Sequence, residues 1–316
     1  MSSSFEYHRP PDYPSLMNLY FLNHTWYGDL LVVVLCGHIT FICASLYLHR
    51  ATAHQGITFH PAVSWAMRWW IWLFTGMSTR EWVAVHRKHH AYCETDEDPH
   101  SPVVHGWAQI LFFGVKYYRN SYRDASTMER FTKGCPNDVI ERKLFIPHKV
   151  IGLMVVLAVD LLVFGIVPGL FVWAGMVLWI PFWAAGVVNG LGHTIGYRNF
   201  KVRDASRNLG PLGILLSGEE LHNNHHKFPA SAKFSSRWFE FDIGWMYIQL
   251  FRLFGLAKVK VVHEGIPNFK RATLAAKESA LVHAREAATA AKEKASDVKT
   301  AVQIATQSKL GTEYSN

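Results

Sequence analysis

Eighteen histidines in a chain of 316 residues are a large supply of one kind of metal ligand. Three groups stand out: His49-x4-His54 in HRATAH, His86-x2-His89-His90 in HRKHH, and His222-x2-His225-His226 in HNNHH. On a helix, residues at i, i+3 and i+4 share a face, so each HxxHH can aim three imidazoles at one point. The i, i+5 spacing of the first group does not keep one face, and predicts a helix end where the chain bends. His193, in NGLGH, is on spacing alone as much a packed histidine as a ligand. His38 and His148 stand singly and predict packed or hydrogen-bonded side chains.

Neutral imidazoles suit Zn, Cu, Fe and Ni, but structural zinc closes on four ligands per ion. Eight or nine imidazoles therefore point to two ions with positions left open, which is a reactive site. Soluble di-iron bundles use Glu together with Glu-x-x-His. Here Glu97-x-x-His100 contains Pro99, and Glu219-x-x-His222 shares a histidine with a group already counted. An all-histidine di-iron site is favoured over a carboxylate-bridged one. Haem fits poorly, because its axial histidines would lie within spans and would not come in triplets. Gly190, Gly192 and Gly196 follow an apolar helix and no βαβ unit surrounds them, so they form no dinucleotide fingerprint.

The elements that must position these histidines are apolar. Half of the residues are hydrophobic and 18% are charged, against roughly a quarter charged in soluble domains. The mean hydropathy is nevertheless only +0.05, so membrane segments alternate with a polar body and tail. Residues 30–48 (LLVVVLCGHITFICASLYL) are uncharged and long enough to cross a hydrocarbon core. Residues 150–167 and 170–191 flank Pro168-Gly169, and predict a helical hairpin that turns there. Residues 62–77, with Arg68 at the centre and Trp69, Trp70 and Trp72 beside it, predict a helix at the interface, as do residues 238–257. The fold class expected is all-α, with about three to four spans, interfacial amphipathic helices and a cytoplasmic helical cap over the metal site.

Residues 80–148 hold ten Lys/Arg and residues 194–237 hold seven, whereas the first 29 hold one. The positive-inside rule puts both polar regions, and with them all three histidine groups, in the cytoplasm. The net charge of +8 is met by anionic lipid and needs no nucleic acid. Four cysteines, none in CxxC spacing, exclude a disulfide scaffold. The domain expected is residues 30–263, between an N-terminal segment, 1–29, and an Ala/Lys/Glu-rich tail, 264–316, helical or disordered.

HRATAH, HRKHH and HNNHH resemble the three histidine boxes of the membrane fatty acid desaturases, in the branch of acyl-CoA delta-9 (stearoyl-CoA type) desaturases. EWVAVHRKHHAYCETDEDPH resembles that branch around its second box, and NGLGH resembles its NxxxH element. GEELHNNHHKFPASAKFS and WFEFDIGWMYIQL are most similar to bacterial members. The resemblance implies that His49, His54, His86, His89, His90, His193, His222, His225 and His226 hold two irons, and that Asn189 contacts one of them through water. It also implies a multi-pass protein of the bacterial inner membrane. The stretch HGWAQILFFGVKYYRNSYR departs from the basic region that contacts coenzyme A phosphates in animal members, so the carrier is acyl-CoA or phospholipid. One predicted span before the first box, where animal members have two, is a second departure.

Taking two hydrogens from an unactivated methylene pair needs a strong oxidant, which iron supplies from O2. The activity implied is desaturation of a saturated acyl chain, at delta-9, in unsaturated fatty acid synthesis. Trp82, one turn before His86, is the first candidate for the wall of an apolar acyl tunnel. The chain carries no flavin or nicotinamide fold, no CxxCH and no iron–sulfur cysteine set, so electrons come from a ferredoxin, rubredoxin or cytochrome b5-like donor. The alternatives are an acyl or alkane hydroxylase of the same superfamily, and a histidine-rich metal transporter. A transporter predicts ionisable residues along the spans, for which His38 and Asp160 are the candidates.

Overall fold

The computed structural model describes residues 25–265 and, further on, 279–283, 285–286 and 289–290. The chain divides into two units, Met1–Glu264 and Gly265–Asn316, and the first carries all three histidine groups. The expected N-terminal segment and tail fall mostly outside the described residues.

The architecture is mostly helical. Helix α1 (Trp26–Cys43) is capped by Thr25, whose Oγ1 accepts from the Gly28 amide. It runs on without a break as a π-helix over Ala44–Ala53, carrying the first histidine pair. Helix α2 (Pro61–Thr75) and helix α3 (Thr79–Tyr92) follow. Short α4 (Pro102–His105), α5 (Trp107–Arg123) and α6 (Ala125–Phe131) come next. Helices α7 (Lys149–Phe164) and α8 (Ile166–Ile180) form a hairpin, and α8 continues through a π-helical segment over Pro181–Val188. Helix α9 (His222–Lys227) carries the last histidines, and α10 (Ile243–Leu253) completes the unit.

Among the described residues two helices are long and apolar enough to cross a membrane, Trp26–Ala53 and Ile166–His193. Helix α7, on the expected span over residues 150–167, is a 16-residue apolar helix packed along α8 and α2. The hairpin turns at Gly165, not at Pro168-Gly169. Gly165 has φ 84°, a left-handed conformation that suits glycine, while Pro168 and Gly169 sit in the first turn of α8. Helices α1 and α8 also meet closely: a Cβ on Gly37 would come within 2.4 Å of the Trp179 ring.

Arg68 is buried in α2, and its charge is answered within the protein. Its guanidinium donates to Asp138 and Glu141, each at 2.8 Å, and lies 4.2 Å from the Trp65 ring centre. The apolar stretch expected over residues 238–257 contains a shorter helix, α10, with Ile248 buried and Leu250, Leu253 and Phe254 exposed. The fold is not purely helical. Strands β1 (Ile57–Phe59) and β4 (Ala257–Val259) pair antiparallel, with Ile57 opposite Val259. Strands β2 (Leu212–Gly213) and β3 (Phe241–Asp242) pair in parallel. These segments are two or three residues long, too short to leave a period-two pattern in the sequence.

Candidate metal centre

The histidine pair of the first box is explained by the helix that carries it. In i→i+5 hydrogen bonding, residues five apart stack one turn above another, and the His54 amide donates to the His49 carbonyl at 3.0 Å. The two rings stand 4.9 Å apart. Helix α3 begins with Ser78, whose Oγ accepts from the Glu81 amide, and it presents His86, His89 and His90. His193 comes at the end of the helical run from α8, and α9 holds His222, His225 and His226.

The other residues of the boxes lock these elements together. Arg50, fully buried, donates to the Asp242 carboxylate at 3.0 and 3.1 Å and to the carbonyls of Ala232 and Ser217, each at 2.8 Å. Arg87 donates to the carbonyls of Thr52, Ala53, Phe131 and Lys133. Asn223 and Asn224 are buried, and their amides donate to Phe200, Ser206, Phe234 and Glu240.

The nine predicted histidines gather into two groups. Donor atoms of His49, His54, His86, His90 and His225 all lie within 4.8 Å of one another. So do those of His89, His193, His226 and Cys93, and His222 Nε2 stands 2.9 Å from His193 Nε2. Within the first group, His225 Nε2 is 3.0 Å from His49 Nε2 and 2.9 Å from His90 Nε2, and His54 Nε2 is 2.8 Å from His86 Nε2. A neutral imidazole carries one N–H and one lone pair. Hydrogen bonds alone therefore leave lone pairs of the three clustered Nε2 atoms facing one another, whereas a cation between them satisfies all three. The buried His226 Nε2 also has no hydrogen-bond partner among the described residues. The donor set fits two metal ions.

Outer partners fix the tautomers. His49 Nδ1 bonds Glu219, His89 Nδ1 bonds Asp98 and His193 Nδ1 bonds Glu94, each at 2.8 Å, while His226 Nδ1 meets Asp204 at 3.1 Å. With Nδ1 donating to a carboxylate, Nε2 is left as the basic atom that a metal needs. Burial, reinforced by the neighbouring histidines, holds His54, His86, His90, His222, His225 and His226 well below the usual imidazole range, in their neutral form. Burial opposes charge on His89 as well, but Asp98 outweighs it and carries that ring well above its usual value.

Four carboxylates and one thiol escape the spacing of the histidines. Cys93 follows His89 by one helical turn, a signal open to reading, and its Sγ lies 3.9 Å from His89 Nε2. The carboxylates are Glu94, Asp98, Asp204 and Glu219. Glu219 and Glu97 are the carboxylates of the two Glu-x-x-His strings. Glu219 meets His49 and Ser45, not the centre of a nest. His100, the partner of Glu97 in its string, is buried 5.8 Å from His89, and burial depresses its pKa to about 3. His38 bonds the Tyr247 hydroxyl at 3.0 Å, apart from both nests.

A cavity of about 390 Å³ adjoins the first nest, with His49, His86, His222, Asn189 and Trp82 in its wall. Trp82 stacks on His86, centroids 4.7 Å apart and planes 13° apart, and stands edge-on to His49 at 5.8 Å. Phe41, Leu153, Val177 and Ile180 supply apolar lining.

A membrane protein with two histidine nests beside an apolar cavity defines a class of metal-dependent enzyme acting on hydrophobic substrates. Residues 24–239 match the fatty acid desaturase family model, and the chain belongs to that family of oxidoreductases. It is 34% identical over 184 residues to the sn-1 stearoyl-lipid 9-desaturase of Anabaena variabilis, covering 56% of this chain and 63% of that one. Against the sn-2 palmitoyl-lipid 9-desaturase of Nostoc sp. (strain 36) the identity is 36%, covering 57% and 62%. Against the Delta-9 desaturase-like 5 protein of Arabidopsis thaliana it is 28%, covering 77% and 82%.

Proposed function

We propose that this desaturase introduces a cis double bond at the delta-9 position of a saturated acyl chain, using two irons held by its nine grouped histidines. His49, His54, His86, His90 and His225 hold one iron; His89, His193, His222 and His226 hold the other, with Asn189 reaching it through water. The observation that carries this reading is the adjacency of two histidine nests to a cavity with apolar lining. The domain that does this work is residues 30–263, and the site faces the cytoplasm of a bacterial inner membrane, with about three spans. The delta-9 position rests on the activity for which the relatives are named.

Iron with O2 supplies the oxidising power to remove two hydrogens from adjacent methylenes. In balance, the acyl chain gives up two hydrogens and an external donor gives two electrons. O2 takes both, with two protons from solvent, and leaves as two waters. A ferredoxin, rubredoxin or cytochrome b5-like protein is the donor. The protein's own residues position and shield. Trp82 and the apolar wall hold the acyl chain against the nest, Glu219, Asp98, Glu94 and Asp204 keep the Nε2 atoms of His49, His89, His193 and His226 basic, and burial keeps bulk water out.

Expression in a host lacking its own desaturase, followed by mass spectrometry of lipid and thioester acyl chains, tests this. The expected product is a monounsaturated chain with a cis C9–C10 bond. A hydroxylated chain, or an unchanged profile, would overturn the proposal.

A further inference from the structure

The two nests differ in their supply of imidazoles. The first groups His49, His54, His86, His90 and His225, whereas the close group of the second holds His89, His193 and His226, with His222 Nε2 2.9 Å from His193 Nε2. The remaining member of that close group is a thiol. Cys93 Sγ lies within 4.8 Å of the donor atoms of all three histidines, and 3.9 Å from His89 Nε2. Cys36 and Cys43 belong to α1, and among the described residues Cys93 is the one cysteine that stands in either nest. The turn that ends α3 brings it there. The helix stops at Tyr92, Cys93 caps it with ψ at 130°, and Glu94 has φ at 65°, a left-handed backbone uncommon outside glycine. Glu94 thereby reaches His193 Nδ1 at 2.8 Å.

Hydrogen bonding does not account for this arrangement. An S–H is a weak donor, and one placed 3.9 Å from His89 Nε2 leaves His226 unmet. The His226 side chain is 1% exposed, and its Nε2 has no hydrogen-bond partner among the described residues. A cation takes the sulfur and the imidazole lone pairs together. At the bond lengths of zinc, about 2.0 Å to nitrogen and about 2.3 Å to sulfur, two ligands of one ion can stand up to roughly 4.3 Å apart. The sulfur and His89 Nε2 fall within that reach. Iron accepts thiolate as readily as imidazole.

We propose that Cys93 is a protein ligand of the second iron, beside His89, His193, His222 and His226, and binds as a thiolate after its proton passes to solvent. This rests on the two-iron reading and adds a sulfur donor to it. The two nests then match in number of donors but differ in charge. A thiolate is negative where an imidazole is neutral, so it favours the ferric state of one iron over the other.

X-ray absorption at the iron K-edge reads the sulfur directly, on full-length protein purified in detergent from iron-supplemented cells without added thiol. The expected spectrum has a sulfur shell at about 2.3 Å, one sulfur for each pair of irons, beside the nitrogen shell. C93S should lose that shell, and with it the visible thiolate-to-iron charge-transfer absorption of the ferric protein. It should also raise the midpoint potential of one iron and leave the other in place. C36A/C43A/C135A, with Cys93 as its remaining thiol, should keep both signals, and it decides the matter should C93S fail to hold iron. Iron content, measured on every sample, separates this proposal from the reading beneath it. A bound iron pair without a sulfur shell, or a shell undiminished in C93S, overturns the thiolate ligand and leaves the histidine assignment standing. A chain that takes up no iron pair overturns both.

Discussion

At the scale of the residue, the histidines are legible because one side-chain type at helical spacing carries its chemistry with it. The residues that tune them are not. Asp204 and Glu219 reach His226 and His49 across 22 and 170 positions of chain, and no local pattern joins such partners. Asp98 is the most telling of them, because it is buried and bonds both His89 Nδ1 and the His100 amide. Asp98→Asn should keep the fold but lower iron affinity roughly 10–100-fold, the usual cost of losing an outer partner; iron retained per chain during dialysis against a chelator checks this. Trp82→Ala removes the ring that stacks on His86 and walls the cavity. With iron content maintained, kcat/KM for the acyl substrate should fall about tenfold or more, as expected when positioning contacts are lost.

At the scale of the element, the HxxHH boxes announce their helices, while the HxxxxH box announces only a departure from one. The departure is a widened, π-helical last stretch of the run from α1, which stops at Ala53 and leaves His54 as its C-cap, at the bend that the spacing predicts. Spacing alone does not reveal the widening, because that depends on what holds the turn. Arg50 helps to hold it. Its guanidinium ties this segment to Ser217, Ala232 and Asp242, on both sides of the third box. Arg50→Met would leave the Asp242 charge buried without its cation, and should cost about 3–5 kcal/mol. A thermal melt in detergent should show the loss, with iron content falling alongside. The hairpin turn departs from its expected position for a related reason. Pro168-Gly169 reads as a turn, yet proline is also welcome in a first helical turn, and it is Gly165 that has the left-handed backbone the reversal uses.

At the scale of the molecule, composition foretells a protein divided between apolar helices and a polar body. It does not foretell the internal answer to Arg68, since Asp138 and Glu141 lie seventy residues and more further on. Nor can it outline the cavity, whose wall is assembled from α1, α3, α5, α7 and α8. The function rests on the two nests and that cavity, and the metal count tests it most directly. The chain, purified from iron-supplemented cells, should carry about two irons by elemental mass spectrometry, the number its two donor groups imply. His89→Ala, prepared in parallel, should lose iron and desaturation together. One zinc per chain, or iron undiminished in His89→Ala, would contradict the assignment of the histidines to a two-iron centre.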